Sequence, residues 1–296
     1  MTFRCAVASE ERDEPVTGSA TNVRGFLLLE HTGPWGRTAL LDARLPDGLG
    51  AELRRRAGEH RIKILLVRRH GARRDPKRLT VLAAHADSQV PRLETTTVAD
   101  LREVLDLDLS GLAGGRPLGL TPTDGSVFAV CTNGRHDACC AERGRPVAAA
   151  LAAVHPEETW EVSHIGGDRF AANVLILPHG LYYGRLDPDS AVAMAARHRV
   201  GELDLDHLRG PSYSPMAVQF AEVALRRELD QPQLGTIRVT GRSSAGGVTT
   251  AAFTTSVGDY EVDVRTTPGP PCQLTCQAAR DNAPPLHETV RIERVQ

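Results

Sequence analysis

The sequence predicts an α/β protein built from an N-terminal α/β unit, a central small sheet with a cysteine-rich loop after its first strand, and a β-rich tail. Three observations carry that expectation. Short apolar runs alternate with helical periodicity along the front of the chain, the Gly- and Pro-rich stretch SGLAGGRPLGLTPTDG at 110–125 interrupts them, and from Gly235 the pattern turns to β-type segments separated by turns. A chain of 296 residues exceeds one typical core. Residues 1–115, 122–200 and 201–296 are therefore expected as separate units.

In chain order, RGFLLLEH at 24–31 and IKILLVR at 62–68 read as strands, with a helix around 47–58 that places Leu49 and Leu53 on one side. TGPWG at 32–36 reads as a turn pinned by its aromatic residue, and VADLREVLDLDL at 98–109 as a helix. SVFAVC at 126–131 has the pattern of a buried strand and delivers Cys131 at its end. A helix is expected from Pro146, with proline in its first turn. Short strands follow at 160–164 and 181–186, and 170–178 reads as a strand or a helix start. Strand and helix alternation with a cysteine loop after the first strand describes a small thioredoxin-type sheet. Residues 189–230 read as helical, with Ser214 a candidate N-cap before Pro215. TIRVTGR, GGVTTAAFTTS, DYEVDVRT and ETVRIERV should form an antiparallel sheet.

Composition narrows the function classes. Hydrophobic residues at 41% and charged residues at 24% fit an ordinary globular protein, and the net charge of −2 gives no bulk attraction to nucleic acid or anionic lipid. The arginines at 54–56 read as a solvated helix face. No apolar run approaches the ~20 residues that span a bilayer, and the first residues lack a signal-type apolar core. A cytoplasmic location is expected. In a reducing compartment the six cysteines suggest metal or redox chemistry rather than disulfides.

The densest chemistry is CTNGRHDACCAERGRP at 131–146, followed by SHIGGDRFAANVLILPHGLYYGRL at 163–186. Thiolates bind iron, and Arg135, Arg143, Arg145 and Gly134 supply positive charge and backbone N–H donors nearby. His164 and Asp168 flank two glycines, which lets the backbone approach a bulky group closely. Bland readings stand beside these. Cys5, Cys272 and Cys276 can be small buried residues, His179 a hydrogen-bonded loop residue, His136 a donor or a solvent-facing ring, Asp137 and Asp168 caps, and Tyr182 and Tyr183 sheet packing.

The pattern C-T-x-G-x-x-D-x-x-C at Cys131–Cys140, with S-H-I-G-G-x-x-F-A-x-N-V at Ser163–Val174, resembles the sucrase/ferredoxin-like family. The stretch from Cys5 through GPWG and the tail near Cys276 are similar to it as well. The resemblance implies a thioredoxin-like ferredoxin domain holding a [2Fe–2S] cluster, a one-electron carrier rather than a substrate-converting enzyme, and a separate redox donor or acceptor protein as partner. Separately, the strand–helix–strand order of the N-terminal unit alone allows it to be read as a degenerate second thioredoxin-like domain. In relatives with H-x3-H, two cysteines and two histidines hold the cluster. Cys131, Cys140 and His164 match, while Asp168 stands in place of the second histidine.

That departure changes the charge. An oxidised 2+ core with two thiolates and two neutral imidazoles is neutral, whereas one carboxylate in place of an imidazole makes it −1 and harder to reduce. Three arrangements stay open at this point: Cys131, Cys140, His164 and Asp168 as ligands; Cys276 and Cys272 from the tail replacing Asp168 alone or Asp168 together with His164; or no cluster. Cys139 can also substitute for Cys140. Two alternative functions remain, a zinc or thiol-redox protein on the same scaffold and, more remotely, a glycoside hydrolase, which needs a carboxylate pair that does not stand out here.

Overall fold

The computed structural model describes residues 2–71 and 78–295. Helix α1 (Cys5–Glu11) precedes strand β1 (Gly25–Glu30), and helices α2 (Ala39–Asp42) and α3 (Leu49–Glu59) lead to β2 (Ile62–Arg68). Strands β3 (Leu79–His85) and β4 (Arg92–Val98), two 3-10 helices at 101–106 and 109–114, and the short β5 (Thr121–Pro122) follow. Next come β6 (Val127–Cys131), α4 (Ala138–Val154), β7 (Thr159–Val162), β8 (Val174–Leu177), β9 (Leu181–Tyr183), α5 (Pro188–Arg199), β10 (Leu208–Pro211) and α6 (Met216–Glu228). The chain ends in β11 (Ile237–Ala245), β12 (Val248–Thr255), β13 (Gly258–Pro268) and β14 (Pro285–Val295). This is a mixed α/β architecture with a large mixed sheet and a four-stranded antiparallel sheet, the latter in the order β11-β12-β13-β14.

The large sheet has the order β10-β9-β8-β6-β7-β2-β1-β3-β4-β5. Its two halves repeat one arrangement. β1 is parallel to β2 and antiparallel to β3, which pairs with β4, and β6 is parallel to β7 and antiparallel to β8, which pairs with β9. Helices α2 and α3 connect the parallel strands of the first half and α4 those of the second, as parallel pairing requires a crossover. The halves join edge to edge through the antiparallel pair Val67↔Val162 and Arg68↔Glu161.

Alternation along the strands divides the core. Leu27 and Leu29 of β1 pack with Leu49 and Leu53 of α3, and Phe128 and Val130 of β6 pack with Val147, Ala148 and Leu151 of α4. The intervening residues Phe26, Leu28, Ala129 and Cys131 join a third cluster spanning both halves, with Trp160 fully enclosed in it. Helix α6 covers the tail sheet through Val218, Ala221 and Leu225 against Phe253, Val262 and Val264.

Several elements differ from the sequence-based expectation. Residues 98–109 hold the end of β4 and 3-10 turns rather than an α-helix, because Asp100 and Glu103 close a capping box over a single tight turn and Asp108 starts another. Helix α4 begins at Ala138, so Pro146 lies in its interior. Pro146 is exposed, which leaves the carbonyl of Glu142 without its helical N–H on the solvent side. Ser214 does not cap α6, whose N-cap position is Pro215 with no side-chain hydrogen bond. Residues 170–178 resolve to a short 3-10 turn and the strand β8. The arginine run at 54–56 is tied into its own helix, with Arg55 bridging Glu52 and Glu59 and Arg56 reaching the Leu105 carbonyl at 2.6 Å.

Candidate metal centre

Cys131 is the last residue of β6 and pairs with Val162, the last residue of its parallel neighbour β7. The loops leaving the carboxyl ends of these two strands therefore start side by side, where ligands of α/β sheets commonly sit. The first loop runs from Thr132 into α4, whose N-terminus carries Cys139 and Cys140 in its first turn. The second runs from Ser163 through His164 to Asp168, which opens a 3-10 turn.

The motif residues have specific structural work. Asp137 caps α4 by accepting from Cys139 N at 2.9 Å. Thr132 Oγ1 donates to Glu161 Oε2 at 2.7 Å, and Arg68 Nη2 reaches the same oxygen at 2.7 Å. Gly144 lets α4 pass close to β6, since a Cβ there would lie 2.1 Å from the Cys131 carbonyl oxygen. Gly167 has φ +82 and faces the Arg209 guanidinium, which a Cβ would meet at 2.3 Å. The buried Arg209 donates to Gly166 O and Asn173 Oδ1, both at 2.8 Å, and Lys63 Nζ donates to Ile165 O at 2.9 Å. The His164–Asp168 loop is thus fixed by cations beneath it.

Two overlapping donor sets result. Cys131, Cys140 and His164 offer ligand atoms within 4.8 Å of one another, and so do His136, His164 and Asp168. Cys140 Sγ donates to Asp168 Oδ1 at 3.1 Å. His164 Nδ1 lies 2.9 Å from that oxygen but lacks hydrogen-bond alignment, so it is a buried ring nitrogen without a partner in hydrogen-bond geometry. His136 stacks on His164 with ring centroids 3.6 Å apart. Its Nδ1 lies 3.0 Å from the Arg37 carbonyl, to which it can only donate, and its Nε2 faces Asp168 Oδ2 at 3.7 Å. The cysteines are buried, whereas His136 and His164 form the outer edge at 29% and 27% exposure.

The electrostatics follow from this crowding. The close interaction of the two sulfurs holds the Cys131 thiol well below its usual range and pushes that of Cys140 up. Burial opposes a charge on His164, yet Asp168 and Cys131 outweigh it and raise the imidazole to about 9. Burial likewise works against the Asp168 carboxylate, which His164 nevertheless holds below the ordinary range. Burial lowers Lys63 to about 8, partly offset by Cys131 and Asp168. The positive end of α4 adds to these cations in favouring thiolate.

A family description, Sucrase/ferredoxin-like, matches residues 16–210, well over half of the chain. The chain belongs to the sucrase/ferredoxin-like family. Comparisons with curated proteins and with solved structures each found no match. The span matched to the sucrase/ferredoxin-like family contains Cys131, Cys139, Cys140, His136, His164 and Asp168, and excludes Cys5, Cys272 and Cys276.

The remaining cysteines divide differently from their sequence spacing. Cys276 does not join Cys131 and Cys140 but meets Cys5 and Cys139, beside Asp137. Cys272 belongs to neither group and lies in an isolated bridge with Asn282. His136 was legible only as a possible donor inside the cysteine loop; the signal for its greater involvement is its place one residue before the helix cap. His179 is largely buried with its Nδ1 unpartnered, away from these groups. Tyr182 and Tyr183 are fully buried in the sheet. No described helix is long and apolar enough to cross a membrane.

Proposed function

We propose that this protein holds a [2Fe–2S] cluster and passes single electrons between separate redox partner proteins in the cytoplasm. The observation that carries the reading is the convergence of two buried cysteines with His164 and Asp168 at the carboxyl ends of two parallel strands and the N-terminus of α4. His164 fits a ligand role because it brings a ring nitrogen within 4.8 Å of the ligand atoms of both thiols while Asp168 Oδ1 lies 2.9 Å from its Nδ1. Cys131 and Cys140 would hold one iron, and His164 and Asp168 the other. Such a cluster supplies reversible one-electron chemistry when bound.

The protein's own groups set the conditions. The α4 N-terminus, Lys63 and Arg209 favour the thiolates and the Asp168 carboxylate over their protonated forms. Burial of the cysteines keeps water from the sulfurs, while the stacked imidazoles at the exposed edge offer the shortest approach for a partner. No substrate pocket is required.

A second reading has its own support, since Cys131, Cys140 and His164 lie close enough to serve one tetrahedral zinc ion. Iron and acid-labile sulfide content, measured on anaerobically purified protein with its visible spectrum, separates the two. The expected result is a red-brown protein with about two iron and two sulfide per chain, lost in Cys131→Ala and Cys140→Ala. Asp168→Ala and His136→Ala run in parallel identify the fourth ligand, and Asp168→Ala is expected to lose iron. A colourless protein that holds zinc at these residues after cluster reconstitution would favour the second reading.

A further inference from the structure

Three thiols outside the proposed cluster converge on one point. Cys5 Sγ lies 3.8 Å from Cys139 Sγ, Cys139 Sγ 3.5 Å from Cys276 Sγ, and Cys276 Sγ 3.6 Å from Cys5 Sγ. Sulfurs bound to one tetrahedral ion at about 2.3 Å stand about 3.8 Å apart, and an oxygen at about 2.0 Å completes such a set about 3.5 Å from each sulfur. Both carboxylate oxygens of Asp137 lie 3.6 Å from Cys5 Sγ. A cluster would spread the sulfurs over separate irons, and a disulfide needs about 2.05 Å between two of them and leaves the third over.

Backbone N–H groups are the direct partners of the carboxylate in this spot. Asp137 and Cys5 are 0% exposed and Cys139 is 2% exposed. Asp137 accepts from Cys139 N at 2.9 Å and Cys276 N at 2.6 Å, but among the described residues no lysine, arginine or histidine pairs with it. The neighbouring arginines are committed elsewhere, Arg4 to Glu142 at 2.7 Å and Arg143 to Glu10 at 2.8 Å. These same pairs hold α1 on α4, so Cys5 is carried to the spot by a built contact. A buried carboxylate without a cation is costly, and soft thiolates around it select a thiophilic divalent ion.

We propose that Cys5, Cys139, Cys276 and Asp137 bind one Zn²⁺ as a structural ion. Three S–H bonds give up their protons, three S–Zn bonds and one O–Zn bond form, and no electron is transferred. The ion joins three segments distant in sequence: α1, the first turn of α4, and the connection between β13 and β14. Because Cys139 adjoins Cys140, it also fixes the helix turn that presents Cys140. The proposal does not depend on whether Cys131 and Cys140 hold iron.

The test is elemental analysis of the full chain purified anaerobically without chelator. About one zinc per chain is expected in the wild type, in Cys131→Ala, in Cys140→Ala and in Cys272→Ser, falling below about a tenth in Cys5→Ser and Cys276→Ser. Cys276 lies in a half-buried connection, so Cys276→Ser is the variant most certain to fold, with circular dichroism as the check. Cobalt(II) added to zinc-stripped wild type provides a measurement that needs no variant, and should give thiolate charge-transfer and tetrahedral ligand-field bands. Zinc absent from the wild type with no cobalt bands, zinc lost with Cys131 instead of Cys5, iron lost with Cys5 and Cys276, or a disulfide among the three thiols would each overturn the proposal.

Discussion

The two oxygens of Asp168 face three side chains: the Cys140 thiol at 3.1 Å, the His164 ring at 2.9 Å and the His136 ring at 3.7 Å. A carboxylate here gives the proposed centre one more negative charge than an imidazole would, so it should be harder to reduce. Asp168→His is expected to raise the reduction potential by on the order of 100 mV and to steepen its dependence on pH, as followed by spectroelectrochemical titration. An unchanged potential with the cluster retained would mean that Asp168 is not a ligand. At this scale much of the site was legible in the residue types, because Cys131, Cys140, His164 and Asp168 do lie together. The part played by His136 was not, since its ring is aimed by the Arg37 carbonyl, a contact between residues separated by 99 positions.

Among the elements, the buried strands were legible because their apolar runs are short and bounded by turns. Helix α4 was legible only from its middle. Gly144 and Pro146 look like breakers, yet the glycine admits the Cys131 carbonyl and the proline sits on the exposed side. Strands β3 and β4 were missed because LTVLAAH and RLETTTV lack clean alternation, and pairing with β1 decides their state. Helix α5 carries a pH-sensitive contact. His198 lies 3.0 Å from Ser126 Oγ and edge-on to His179, and burial, followed by the charge of His179, lowers its pKa to about 4. Unfolded histidine titrates near 6.5, so below that pH the unfolded chain takes up a proton that the folded chain refuses. Stability from this source is complete above about pH 6.5 and falls as the pH drops toward 4, by up to about 3 kcal/mol. Urea unfolding at both ends of that window should show a smaller loss for His198→Phe than for the wild type. Equal losses would remove His198 from the account.

On the scale of the whole molecule, the strand order and directions of the two halves of the sheet coincide, but only one half carries cysteines in its first crossover loop. Where β6 leads into TNGRHD and Cys139, β1 leads into HTGPWG, whose Trp35 donates to the His31 carbonyl at 3.1 Å and lies 4.3 Å under Arg68. Arg68 in turn binds Glu161, which receives Thr132 from the cysteine loop. The cysteine-free half therefore acts on the site as a buttress. The sequence carries no visible repeat, because what the halves share is strand order and not residue identity. The edge-to-edge join was equally hidden, since two pairs of residues make it. The most direct test of the central claim is the electron paramagnetic resonance spectrum of the anaerobically purified protein after reduction with dithionite. A signal of about one unpaired electron per two irons, broadened by nitrogen coupling from His164 and abolished in Cys131→Ala, is the result expected of a [2Fe–2S] centre at these residues. A protein with no such signal and no iron, even after reconstitution, would contradict it.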